Sequence, residues 1–419
     1  MKNSNSLARI IILGGLLCAS LFFGWQSFEG EQRKLTIKSD LVELLDIQYG
    51  LFNVDVWKDL SAEILSKKIE SFNLTEPKRG EVKKEIESFA YRMIDDFEKT
   101  YHQENSKSIG GFLKVGVASM TGTFSEMRKF VPTLSSEILA FFNETKNRSA
   151  LKKFLKAKMD TYTKETFSEV DYSKVLTIQN KLGVTTLEEA KLASRQLLAD
   201  LDDELSVPRW LTLICALLAC AFLLWVPILS TVETLLISAF ASTFLFLGIF
   251  LPMIEIDARI SEMKFNLLGE PLEFLDQVLF YKCKSIINVV EVMLSQGKID
   301  LFFVGSLVLT FSVLFPLSKL ISIVFYATSD RLKNNPVINW FVFKTGKWSM
   351  ADVMVVAIFM AFIGFSGILS EQLGQIENIA PNLKILTTNE SHLEFGFYTF
   401  TAFVLISMLC SGKLKKQAK

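Results

Sequence analysis

Between Trp210 and Ile256 only Glu233 and Glu255 carry formal charge. A bilayer's hydrocarbon core is crossed by about 20 apolar residues in a helix, so this stretch is too long for one crossing. The polar segment Ser230-Thr231-Val232-Glu233 divides it into two helices, about residues 209–229 and 234–253. Apolar blocks at 301–327, 350–369 and 395–410 add three more, and Ile10–Trp25 adds one near the N-terminus. Helices and closed barrels alone satisfy their backbone groups in lipid. The expectation is an all-α integral membrane protein with about six transmembrane helices.

The first block is flanked by Lys2 and Arg9. Leu21-Phe22-Phe23 continues the apolar run past Ala19-Ser20, so it reads as an uncleaved anchor rather than a cleaved signal peptide. This gives an anchor over 1–26, a charged domain over 27–206 and a five-helix membrane domain over 207–419. The middle segment reads as helical. Val82, Ile86, Phe89, Met93, Phe97 and Tyr101 recur at three- and four-residue steps, and Thr186 with Glu189 forms a capping-box pattern opening a helix that runs towards Pro208.

Lysine and arginine set the orientation through short loops. They gather in 1–9, 328–348 and 411–419, whereas 370–393 holds one lysine, Lys384, against Glu371, Glu377 and Glu390. Both termini are therefore expected in the cytoplasm, with 27–206 and 254–299 outside. Within 254–299, Ile254, Ile256, Ala258 and Ile260 alternate with Glu255, Asp257 and Arg259, and the phase restarts at Met263, Phe265 and Leu267 after Ser261-Glu262. The pattern predicts a small extracytoplasmic β-hairpin turning at 261–262. Ile286, Val290 and Met293 then share a helix face ahead of Gly297, a C-cap residue type.

Several function classes find no support. None of the five cysteines (Cys18, Cys215, Cys220, Cys283, Cys410) forms a C-x-x-C pair, and the two histidines, His102 and His392, lie far apart. No metal site or cofactor is expected. The formal net charge is zero and gives no reason to invoke nucleic acid. There is no H-E-x-x-H, G-x-S-x-G or P-loop, so the chain is not expected to be an enzyme.

Charges inside the hydrocarbon cost roughly 2.5–3.5 kcal/mol at mid-membrane on insertion scales, so each requires a reason. Lys319 lies within the 301–327 helix and Asp352 just inside the next, both in the cytoplasmic third. Ser312, Pro316, Lys319, Ser322 and Tyr326 fall within about a third of their helix's circumference. On the following helix, Ser349, Asp352 and Ser366 share a side. Facing stripes would form a path for a polar headgroup; the alternative is a structural ion pair with Lys319 snorkelling to the interface. Pro316 is expected to kink its helix. Ser238 and Ser242, four apart, mark close helix packing.

The stretch Gly346-Lys347-Trp348-Ser349-Met350-Ala351-Asp352-Val353-Met354-Val355-Val356-Ala357 resembles the K-W-S-M-x-D-V-x-V-V-A signature of the paraquat-inducible protein A family. Phe315-Pro316-Leu317-Ser318-Lys319-Leu320 is similar to its P-L-x-K-L element. Leu251-Pro252, Leu267-Leu268-Gly269-Glu270 and Glu394-Phe395-Gly396-Phe397 fit its first helix, hairpin and last helix. The resemblance covers 234–411. Familiar members carry two such modules and C-x-x-C zinc ribbons; this chain has one module and no such pair.

The resemblance implies a bacterial inner-membrane protein that works with a mammalian-cell-entry (MCE) domain protein in moving membrane lipids across the envelope. It points to Lys319, Lys347, Ser349 and Asp352, within a motif that also includes Trp348, Met350 and Pro316. The other reading is a receptor whose outer domain binds a ligand and signals through a partner, since the longest cytoplasmic segment is too short for a kinase or cyclase.

Overall fold

Helix α1 runs unbroken from Lys2 to Leu44. At 1.5 Å per residue it is about 64 Å long, roughly twice the thickness of a hydrocarbon core. The computed structural model describes residues 2–50, 53, 56, 63, 83–84, 86–88, 90–91, 94–95, 128–137, 153, 157, 171–267, 270–333, 335–344, 357, 383–389 and 392–417. After α1 come a 3-10 turn at Ile47–Tyr49, α2 (Ser173–Leu182), α3 (Leu187–Trp225) and α4 (Thr231–Phe250). Strands β1 (Ile254–Leu267) and β2 (Glu270–Lys284) follow, then α5 (Ile286–Ser295) and α6 (Ile299–Leu309). A π turn at Thr310–Leu314 joins α6 to α7 (Phe315–Thr328). The short α8 (Asp330–Lys333), α9 (Pro336–Phe343), β3 (Leu383–Asn389), β4 (His392–Leu393) and α10 (Phe395–Gln417) complete the order.

Among the described residues five helical stretches are long and apolar enough to cross a membrane: Ser6–Leu44, Leu187–Trp225, Thr231–Phe250, Ile299–Thr328 and Phe395–Gln417. The chain is a multi-pass membrane protein. The sixth expected crossing, 350–369, lies outside the described residues.

Helices α1 and α3 pair antiparallel, and side-chain contacts fix their register. The Arg9 guanidinium sits 5.9 Å from the Trp225 ring, and Arg209 Nε lies 2.6 Å from Glu31 Oε1. This places Trp25 level with Trp210, both rings exposed. Aromatic side chains of this kind anchor at membrane–water interfaces. Arg9 to Trp25 spans about 24 Å, and Trp210 to Trp225 about 22 Å, at the helical rise. Each helix is thus half membrane span and half stalk, and no helix break marks the expected boundaries at 26 and 206. Gly30 packs directly on Leu205, so a side chain there would force the pair apart.

The capping box at Thr186 is present: its hydroxyl accepts from Glu189 N–H while the Glu189 carboxylate accepts from Thr186 N–H. The helix it opens continues through Pro208 and stops at Trp225. Thr212 Oγ1 donates to Pro208 O at 2.8 Å. Ser230 caps α4 in the same manner with Glu233, so the polar break predicted there is a helix start.

Helices α4 and α10 pack closely in the membrane core. A Cβ on Gly248 would lie 2.7 Å from Phe400 Cα, so only glycine allows the backbones this close. Phe240, Phe244, Phe400 and Phe403 fill the interior around the pair. Ser238 is buried and Ser242 exposed, and each donates to the carbonyl four residues back, so of the two expected packing positions only Ser238 faces the bundle.

The hairpin prediction needs two corrections. β1 runs straight through Ser261-Glu262 and the connection to β2 falls at 268–269. The phase shift in the sequence instead coincides with a bulge against β3, where Ile260 and Glu262 pair with the consecutive Thr387 and Leu386 and Ser261 is the extra residue; the bulge at Ala258/Arg259 has its extra residue, Leu279, on β2. The hairpin also grows into a four-stranded antiparallel sheet in which β3 and β4 pair with β1. α5 ends before Gly297, whose φ of 68° is the left-handed conformation expected of it.

Of the apolar face read over 82–101, Ile86 is buried, while Val82, Phe89, Met93, Phe97 and Tyr101 lie outside the described residues; Ala90, Ile94 and Val131 form a small buried cluster.

Candidate functional site

Helices α6 and α7 form one span whose polar face is turned inward. Ser312, Pro316, Lys319 and Ser322 are buried, with Lys319 only 6% exposed. Leu314, Leu317, Ile321 and Phe325 on the opposite side are exposed. This is the inverse of a helix at a water interface and suits one whose outer face meets lipid. The half-buried Tyr326 stacks edge-on against Phe343 of α9. The predicted stripe therefore exists and faces the bundle.

The π turn explains how the stripe accommodates Pro316. Proline cannot donate, and its ring clashes with the carbonyl four residues back, which here belongs to Ser312. Widening the helix relieves that clash. Phe315 N–H reaches back to Thr310 O, and the wider turn runs over 310–314 immediately before the proline. The expected kink is thus realised as a π turn, a feature often found at functional sites.

Helix α7 packs against α4 and α9, and Lys319 lies within electrostatic reach of Cys410 on α10. Glu233, Thr234, Ser238, Ser407 and Cys410 are all buried on these neighbouring helices. Among the described residues, Glu233 Oε1, Ser407 Oγ and Ser411 Oγ have no hydrogen-bond partner. Buried polar atoms are normally paired, so the interior retains hydrogen-bonding capacity. Asp352, Ser349, Lys347, Trp348, Met350 and Ser366 lie outside the described residues, as does any approach of Asp352 to Lys319.

A second polar cluster was not anticipated. Just beyond the Trp25–Trp210 level, Glu31, Lys34 and Lys38 of α1 meet Asp202 and Arg209 of α3 and Glu255 of β1. Arg209 Nη1 lies 3.1 Å from Asp202 Oδ1, and Lys34 Nζ 2.8 Å from the same oxygen. Lys38 Nζ lies 2.5 Å from Glu255 Oε1 and donates to Oε2 at 2.7 Å. Glu31, Glu255 and Asp257 are almost wholly buried. Arg259 is paired with Asp257, and Arg195 with Asp276. Burial is the largest influence on Glu255 and raises its carboxyl above the usual range, opposed by Lys38. Burial likewise pushes the Cys283 thiol up to about 12.

The sequence held a signal for this cluster. Glu31, Lys34 and Lys38 are spaced by three and four, and Asp202 and Arg209 by seven, so each set lies on one helix face. The alternation in β1 marked Glu255 and Asp257 as one strand face. The stalk covers that face.

Residues 280–375 match the family model for paraquat-inducible protein A. The expected relationship to that family holds over this range, which contains both the Phe315–Leu320 and the Gly346–Ala357 motifs. The match is narrower than the 234–411 resemblance and spans a little under a quarter of the 419 residues. In the described structure it takes in the end of β2 and α5 to α9. Neither the curated proteins nor the solved structures contain a match to the chain.

Proposed function

We propose that this protein is an inner-membrane component of envelope lipid trafficking, acting with an MCE-domain protein and binding a lipid's polar headgroup at the intramembrane site around Lys319. The observation that carries the reading is the orientation of the Ser312–Pro316–Lys319–Ser322 stripe. A buried ammonium on a lipid-facing span is costly unless it serves a polar ligand or a partner charge. Lys319 would neutralise an anionic headgroup, Ser312 and Ser322 would bond its oxygens, and Asp352 with Ser349 would form the facing side. The basic C-terminal end of α10 and Arg9 fall at the same end of the bundle, which supports a cytoplasmic position for both termini. The 27–206 domain is then periplasmic, and the chain performs no catalysis.

The test is lipid capture. With a photoreactive amino acid replacing Ser322, the chain in native membranes should crosslink phospholipid, and Lys319→Met should reduce the yield. Equal crosslinking at Ser322 and at the outward-facing Ile321 would reject a defined site.

The unbroken α1 and α3 favour a second reading, a receptor in which the paired stalk carries a ligand signal through the membrane. Recovery of the chain with a cytoplasmic kinase, and not with an MCE protein, would support it.

A further inference from the structure

The π turn before Pro316 leaves a backbone carbonyl without a helix donor. In a regular helix Phe311 O accepts from the N–H four residues on, that of Phe315. Here Phe315 N–H passes over it to reach Thr310 O. The next N–H that a widened turn could offer belongs to Pro316, and proline has none. Ser312 O, four residues before Pro316, loses its regular donor as well. Hydroxyl side chains commonly replace such a donor in membrane helices. The Thr310 hydroxyl is committed to Ser306 O at 2.8 Å, and among the described residues no side chain donates to Phe311 O. A bare carbonyl inside a membrane span is costly, so this one calls for a donor that the helix does not supply.

The carbonyl and Lys319 approach one another along the span. Helix carbonyls point towards the C-terminal end, where Lys319 lies. The Cα–Cβ bond of Lys319 is tilted the other way, towards the N-terminal end. Phe311 and Lys319 are about 12 Å apart along the axis at the helical rise, and their polar atoms shorten that gap from both sides. Ser312, Pro316 and Lys319 are buried, and Phe311 and Phe315 are half-buried beside them.

We infer that the ligand of this span is an aminophospholipid, whose ammonium N–H donates to Phe311 O while its phosphate meets Lys319. The inference rests on the headgroup reading of Lys319 proposed above and adds a second contact that selects among headgroups. A carbonyl oxygen only accepts, and a charged donor gives it the stronger bond. The ammonium of an ethanolamine headgroup offers N–H donors; the quaternary ammonium of choline has none. Aromatic surface stands beside the carbonyl, with the Phe311 ring edge-on to Phe315 at 5.3 Å and Phe315 edge-on to Phe341 at 6.4 Å. Aromatic faces attract any cation, quaternary ones included, so the rings alone would not separate the two headgroups. The freed carbonyl does, and Pro316 is what keeps it free.

Photocrosslinking from position 322 of the full chain in nanodiscs tests the selection. The bilayers hold phosphatidylcholine in equal amount with either phosphatidylethanolamine or its N,N-dimethyl derivative, which keeps one N–H at nearly the bulk of choline. Both N–H-bearing lipids should be captured at least about tenfold over phosphatidylcholine, as a hydrogen bond from a charged donor allows. Pro316→Ala restores the missing N–H, closes the helix over its carbonyls and should bring the ratio to about one. Equal capture of all three lipids, a dimethyl derivative that behaves as phosphatidylcholine does, or a Pro316→Ala chain that keeps the preference overturns the inference. The lipid series decides by itself if Pro316→Ala does not accumulate. Capture that depends on Lys319 without preferring an N–H would leave the headgroup site standing and remove only the carbonyl contact. Equal crosslinking from positions 322 and 321 would remove the site itself.

Discussion

Glu31 of α1 and Arg209 of α3 meet at 2.6 Å, one residue before Trp210 on one helix and two turns beyond Trp25 on the other. The pair sits where the stalk leaves the membrane, with Glu31 2% exposed. Removing one partner of a buried pair leaves an uncompensated charge. Arg209→Met should therefore destabilise by about 3 kcal/mol, the lower end of the usual range because Lys34 remains near Glu31. The double variant Glu31→Gln with Arg209→Met should recover much of that loss. Denaturant unfolding in detergent micelles measures both, and equal losses would mean that the pair is not coupled.

The pH dependence of stability follows from Glu255. Its folded carboxyl titrates above the unfolded value of about 4.5, so the folded state holds more protons than the unfolded state between the two. Stability from this group is full below the unfolded value and is lost as pH rises through the folded one. Glu255→Gln should flatten the fall in unfolding temperature across that window. A variant curve as steep as the wild type would assign the dependence elsewhere.

Gly248 tests the core. Gly248→Leu places a side chain against the Phe400 backbone and should cost about 1–3 kcal/mol or separate α4 from α10. Gly412, with nothing within 4 Å of an added Cβ, is the control position, and Gly412→Ala should be close to neutral. Thermal melting in detergent separates the two.

Lys319 and Asp352 distinguish a structural pair from a working site. If the charges act on lipid, Lys319→Met, Asp352→Asn and the double apolar replacement should all abolish complementation of an envelope-permeability defect while the protein still accumulates. Recovery in the double variant would identify a structural ion pair.

Hydropathy alone located the five spans found among the described residues, because lipid requires long uninterrupted apolar helices wherever they occur. Periodicity placed Ser312, Pro316, Lys319 and Ser322 on one face, and cap chemistry placed the starts of α3 and α4, since these depend on neighbours within a turn. The tertiary structure decided what lay opposite. The alternation put Glu255 and Asp257 on one strand face but did not show what covers it; α1 covers it, since Lys38, 217 residues away in sequence, arrives at that face. β3 and β4 joined the sheet through pairing that no local pattern announces. Lys34, Lys38 and Arg209 became a charged seam only when α1 and α3 aligned in register. Local sequence fixes periods and ends; charge burial depends on which distant surface arrives, and that is a property of the assembled fold.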